Sequence, residues 1–265
     1  MKLYQQFLTR NSCFAMGRQL KPSGIMVHST GANNPQLARY VPGNEAIGFN
    51  TTGNHWDQTN AEWKKKYGDA LNKCVHAFIG LTDEHEVAVV QTLPWDMRGW
   101  HAGMPAGNNR YIGFEICEDG LVDREYFEAT YAAAVELTAR LCRSFDLDPL
   151  ADGVVICHAE GFKRGLASNH ADVLHWWKLF GRDMDMFRAD VARKLQREDN
   201  EVTQEQFDKM MENYLARRAE MPCNDWAKKG LEEAVSMGIT DGSRPQNFAT
   251  REQVALMVRA AVHAQ

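Results

Sequence analysis

Up to about residue 198, apolar positions fall into short β-branched runs separated by two longer stretches with helical spacing. Gly24-Ile25-Met26-Val27-His28-Ser29-Thr30 is an apolar run ending in polar residues and Gly31, the pattern of a buried strand entering a loop. Gly153-Val154-Val155-Ile156-Cys157-His158-Ala159-Glu160 repeats that pattern, so two strand ends each present a histidine. Between them, Val75 to Leu81, Val87 to Leu93 and Ile112 to Cys117 are further strand candidates. A helical pattern runs from Asp123, suited to cap the first turn, to about Phe145. A second, from Met184 to about Glu198, carries Met186, Phe187, Val191 and Leu195 at helical spacing behind a cap at Asp183 or Asp185. Strands mixed with helices predict an α/β fold, a mixed central sheet flanked by helices.

After Arg197-Glu198-Asp199-Asn200-Glu201 the pattern changes to short capped helices, expected at about 203–219, 225–237 and 251–263. Thr203 with Gln206, and Thr250 with Gln253, fit the capping box, in which hydroxyl and amide side chains satisfy each other's free backbone N–H groups. The chain therefore divides into a catalytic-sized domain, 1–198, and a small all-helical C-terminal module, 199–265.

The bulk properties narrow the function class. A content of 44% hydrophobic and 25% charged residues is that of a folded protein with a real core. A formal charge of −5 gives no basic footprint for nucleic acid or anionic lipid, so nucleic acid is not an expected partner. The opening Met1 to Arg10 is broken by polar groups and lacks the apolar core of an export signal. No run approaches the roughly 20 apolar residues of a bilayer span, so no membrane insertion is expected. Synthesis in the cytoplasm, with passage to the outside by another protein or by lysis, is the corresponding expectation. Cys13, Cys74, Cys117, Cys142, Cys157 and Cys223 form no CxxC pair and are expected to be reduced thiols.

Hydrolytic zinc sites use three protein ligands and leave one position for water. His28 and His158 at strand ends, with Asp172 in the following loop, offer such a set; the spacing permits convergence without requiring it. The alternative for each histidine is an ordinary core or surface role. Cys157, next to His158 on an alternating strand, would face the core and is a poor ligand. Glu115 interrupts Ile112-Gly113-Phe114-Glu115-Ile116-Cys117 on the face opposite the apolar side chains. It is either a solvated outer residue or a general base toward a zinc-activated water. His170 is either a loop histidine or a donor to an oxyanion.

Several separated motifs now carry a resemblance: Met26-Val27-His28-Ser29-Thr30, Gln91-Thr92-Leu93-Pro94-Trp95, Gly99-Trp100-His101-Ala102-Gly103, Ile112-Gly113-Phe114-Glu115, His158-Ala159-Glu160-Gly161 and Ala167-Ser168-Asn169-His170-Ala171-Asp172. In this order they resemble the type-2 N-acetylmuramoyl-L-alanine amidases, the superfamily that includes peptidoglycan recognition proteins, over roughly residues 1–195. The resemblance is strongest to phage and prophage endolysins. It implies Zn2+ held by His28, His158 and Asp172, Glu115 as the catalytic carboxylate, and peptidoglycan as substrate. Many relatives have lysine where this chain has His170, and cysteine where it has Asp172; His170 is the fallback third ligand. The resemblance places His101 at the substrate groove and His76 at a site wall, the latter with a buried, satisfied histidine as alternative. Trp56, Trp95, Trp100, Asn108 and Asn109 are further candidates for glycan or stem-peptide contact. His175-Trp176-Trp177 reads as packing. The tail from Trp226 to Gln253 resembles a single surface-layer-homology repeat, implying a secondary cell-wall polymer as partner and leaving oligomerisation open. A non-catalytic peptidoglycan-binding module and a zinc endopeptidase cutting the stem peptide are the rival functions.

Overall fold

A computed structural model describes residues 1–68, 73–200 and 204–263. They form two compact units, Met1–Asp199 and Asn200–Gln265. The first contains strands β1 (Lys2–Gln5), β2 (Gly24–Asn33), β3 (Gly43–Asn44), β4 (Gly48–Phe49), β5 (Ala77–Leu81), β6 (Val87–Gln91), β7 (Tyr111–Glu118) and β8 (Val155–Cys157). Its helices are α1 (Ser12–Met16), α2 (Asn60–Tyr67), α3 (Pro105–Asn108), α4 (Arg124–Ser144), α5 (His158–Lys163), α6 (Leu174–Trp177) and α7 (Met184–Asn200).

Six strands build one sheet in the order β1-β6-β5-β7-β2-β8, and β3 pairs with β4 separately. The run β5-β7-β2-β8 is parallel throughout, whereas β6 is antiparallel to β5. The sheet is therefore mixed and flanked by helices, as the alternation of element types predicts. β8 runs parallel to β2 and ends opposite Val27, so the residue that follows β8 comes to lie beside His28.

Period-two alternation assigns the side chains to the two faces. Ile25 and Val27 of β2, and Ile112, Phe114 and Ile116 of β7, join one core with Phe127, Ala134 and Leu137 of α4, Trp176 and Trp177 of α6, and Phe187 and Val191 of α7. Each fully buried large apolar side chain there contributes about 1.5–3 kcal/mol. Met26 lies in a different cluster with Tyr111 and Ile156. His28, Gly113 and Glu115, at the alternate positions, share the face opposite the large core. The helices begin where their caps dictate: Asp123 accepts from the Glu125 and Tyr126 amides, and Asp183 accepts from the Met186 amide at 2.8 Å.

The second unit consists of α8 (Gln204–Glu220), α9 (Lys228–Ser236) and α10 (Arg251–His263). The helix expected at 225–237 instead opens with a tighter 3-10 turn, Asp225–Ala227, a common adjustment at helix termini. Thr250 and Gln253 exchange both capping-box bonds, at 2.8 and 3.2 Å. The matching box at Thr203 lies outside the described residues. None of residues 204–263 is buried. Among the described residues all six cysteines are free thiols, five of them buried, and no helix is long and apolar enough to cross a membrane.

Candidate functional site

His28 is the fifth of the ten residues of β2, inside the strand and not at the end that the sequence pattern predicted, and His158 is the first residue of α5, directly after β8 at that strand's C-terminal edge. Asp172 is carried back to this edge by the loop after α5, where its carbonyl accepts from the Ala159 amide at 3.2 Å. The three side chains meet. His28 Nδ1 is 3.0 Å from His158 Nδ1 and 3.2 Å from Asp172 Oδ2, and His158 Nδ1 is 3.6 Å from the same oxygen. Both imidazoles are buried, and the Asp172 side chain is 13% exposed.

Donors on a tetrahedral zinc ion with bonds of about 2.0–2.1 Å sit about 3.3 Å apart, and the observed separations straddle that value. Burial, aided by the neighbouring His28 ring, lowers the His158 pKa to about 4, so the ring is neutral as a ligand must be. Burial alone would raise the Asp172 carboxyl, but its hydrogen bond to His28 and the nearness of both imidazoles hold it below its ordinary value. Two imidazoles and a carboxylate suit zinc, and the residues present fit it.

Glu115 stands beside His28 in the β2–β7 register and beside Phe78 in the β5–β7 register. Its Oε2 is buried and has no hydrogen-bond partner among the described residues. Burial pushes its pKa up to about 7, opposed by His28 and reinforced by the Asp172 charge. A carboxyl poised near neutrality can both take and return a proton.

A cleft of about 250 Å³ opens over these groups, lined among others by Thr30, Tyr40, Trp56, Lys73, Trp100, His101, Glu115, His170 and Asp172. A larger depression of about 390 Å³ lies against α4 and α7, where charges pair with one another, as in Arg182–Glu128 at 3.0 Å and Arg193–Asp190 at 2.8 Å. The convergent, unmatched chemistry is in the cleft.

A family profile described as N-acetylmuramoyl-L-alanine amidase matches residues 18–173, more than half of the chain and every residue of this cluster. The chain belongs to that amidase family. No curated protein matches it. Among solved structures, Staphylococcus aureus hydrolase AmiA, in complex with its ligand, is 21% identical over 74% of this chain and 83% of that one, with a TM-score of 0.50. A mutant endolysin from Bacillus subtilis is 23% identical over 72% of this chain and 99% of that one, with a TM-score of 0.43. The first likeness is one of fold.

Within the amidase, several residues singled out from the sequence take other places. His76 does not reach the cleft. It is wholly buried; its Nε2 donates to the Met97 carbonyl at 2.8 Å and its Nδ1 accepts from the Gly113 amide at 3.1 Å, while burial lowers its pKa to about 4. The substrate contact expected of His76 is corrected accordingly. Asn109 is exposed, bonded to Arg98, and outside the cleft lining. Its neighbour Asn108 is buried and spends its Oδ1 on the His101 and Ala102 amides at 2.7 and 2.9 Å, shaping the loop and not touching solvent. His170 lies at the cleft, 3.2 Å from His158 Nε2 on the side of that ring away from the three donors, so it is not the third member of the cluster.

Two contacts had no reading in the sequence. Ser168 Oγ sits 3.3 Å from His158 Nε2, a place it reaches because Gly103, at φ +70°, lacks the Cβ that would lie 2.4 Å from that oxygen. His175, read as packing, pairs with the buried Glu118 at 3.0 Å, and Glu118 also accepts from the Gly31 amide at 3.2 Å. That pair ties the segment just after Asp172 to the end of β7.

Proposed function

We propose that the amidase performs zinc-dependent hydrolysis of the bond between N-acetylmuramic acid and L-alanine in peptidoglycan, as a phage or prophage endolysin does. The observation that carries this reading is the meeting of two imidazoles and a carboxylate beside a half-buried carboxyl whose Oε2 is buried and unpartnered among the described residues, in a chain of this family. Zinc held by His28, His158 and Asp172 supplies Lewis acidity toward the scissile carbonyl and toward water. Glu115 takes a proton from the attacking water and delivers it to the leaving nitrogen. The C–N bond breaks, leaving a lactyl carboxylic acid on the sugar and a free amine on L-alanine. His170, at the cleft and anchored through its Nδ1 to Ser168, steadies the carbonyl oxygen as negative charge grows. Trp56 and Trp100 offer aromatic faces to the glycan or stem peptide.

Residues 199–265 act, on this reading, as a wall-binding module for a secondary cell-wall polymer. Its exposed Phe207, Met210, Tyr214, Leu256 and Val258 leave room for association between copies. The enzyme meets its substrate after release at lysis. Digestion of purified sacculi followed by mass spectrometry tests the reaction. New L-alanine amino termini, lost on chelation and restored by zinc, are expected. Cuts only within the stem peptide would replace the reading with an endopeptidase, and binding without any cut would replace it with a recognition module.

A further inference from the structure

We propose that His101 is a positioning residue that fixes the tautomer of His28, and that Ser168 does the same for His158. The assignment depends on the zinc reading only for the identity of the ion that the two rings await. The chain of hydrogen bonds is set by a main-chain carbonyl at its end. Tyr111 O can only accept, and it lies 3.0 Å from His101 Nε2, which therefore carries the proton. A neutral His101 then has its lone pair on Nδ1, and that atom is 2.9 Å from His28 Nε2. His28 must donate from Nε2, and its own lone pair is left on Nδ1, the atom that faces His158 and Asp172.

The second ring is set from its far side in the same way. His158 Nε2 lies 3.3 Å from Ser168 Oγ and 3.2 Å from His170 Nδ1, and the hydroxyl itself sits 3.4 Å from the Ala102 carbonyl. With the hydroxyl proton directed at the Ala102 carbonyl, Ser168 Oγ accepts the Nε2 proton of His158, which then also presents a bare Nδ1. Two lone pairs and a carboxylate oxygen then converge with no proton between them, an arrangement that a cation relieves.

The seat of His101 is built for this role. A Cβ at residue 113 would lie 2.3 Å from His101 Nδ1, so the ring fits only over the glycine, and Asn108 holds the His101 amide at 2.7 Å. With both ring nitrogens engaged, His101 has no polar atom to offer the substrate, although its resemblance to a groove residue implied that contact.

Long-range proton–nitrogen NMR on the full, nitrogen-15-labelled, metal-free chain reads the tautomers directly. His28 protonated on Nε2 and bare on Nδ1 is the expected result. His101→Phe removes the acceptor and should release that preference while weakening zinc affinity, measured by competition with a chromophoric chelator, by about 10–100-fold. His101→Asn places Oδ1 near the lost Nδ1 and should restore affinity to within about threefold, against the 10–100-fold loss typical of a missing outer partner. His28 protonated on Nδ1 in the wild-type chain overturns the proposal, as does a His101→Phe variant with unchanged tautomer and affinity. A wild-type chain with the expected tautomer but no zinc affinity would instead overturn the zinc reading and leave the positioning role standing.

Discussion

Glu115→Gln should make the metal-free protein more stable, and by an amount that depends on pH. A raised carboxyl pKa means that the folded state favours the protonated form, so the wild type pays nothing while the group is protonated in both states. Above the ordinary 4.5 the unfolded chain ionises freely while the folded chain resists, and stability falls until the folded pKa near 7 is passed. At about 1.4 kcal/mol per pH unit, that interval corresponds to about 3 kcal/mol. Glutamine has the same shape and never ionises, so the gap between variant and wild type should be near zero at about pH 4 and reach about 3 kcal/mol by about pH 8. Denaturant titration of the full chain followed by tryptophan fluorescence measures it, since six of the seven tryptophans lie within residues 1–199. The desolvated, unpartnered Oε2 is the physical cause, so a gap that stays flat with pH, or a variant less stable at high pH, would refute the argument. The same variant should keep zinc and lose most turnover, because it removes a proton carrier and no member of the donor cluster.

Two further substitutions probe the cluster and its support. Asp172→Asn keeps the shape of the third donor but removes its charge, and should cost more zinc affinity than the roughly 10–100-fold of an outer-shell loss, by chelator competition. Gly113→Ala would place a Cβ 2.3 Å from the His101 ring nitrogen. It should destabilise the chain by about 1–3 kcal/mol in denaturant titration and lower zinc affinity together with it; an alanine variant that matches wild type in both would mean that the ring moves freely.

Much of the fold was legible because its signals are local. The β2 run and its histidine, the long helix behind Asp123, and the caps at Asp183 and Thr250 depend on residues within a turn or two of each other. What lay beyond reach is set by neighbours distant in the chain. Asn108 and Asn109 are indistinguishable as a sequence pair, yet one side chain is buried under the loop and the other is bonded to Arg98 at the surface. His76 and His101 are both histidines near aromatic residues. His76 is sealed by the carbonyl of Met97 and the amide of Gly113, and His101 is held at the donor cluster by the glycine's missing Cβ.

The candidate site shows the same division at the level of the sheet. That His28 follows a buried apolar run is legible in composition, but that the strand continues past it to Asn33 and that Glu115 lies beside it follow from the pairing of β2 with β7. A register slip of one residue would have put Phe114 there and turned Glu115 into the core. The apolar alternation of Ile112, Phe114 and Ile116 forbids that slip, since each would lose its place against α4. The hydrophobic pattern of β7 thus does more than build a core. By holding the register it delivers a carboxyl to a half-buried position beside His28 where its pKa rises to about 7, which makes the packing of one face a condition for the chemistry of the other.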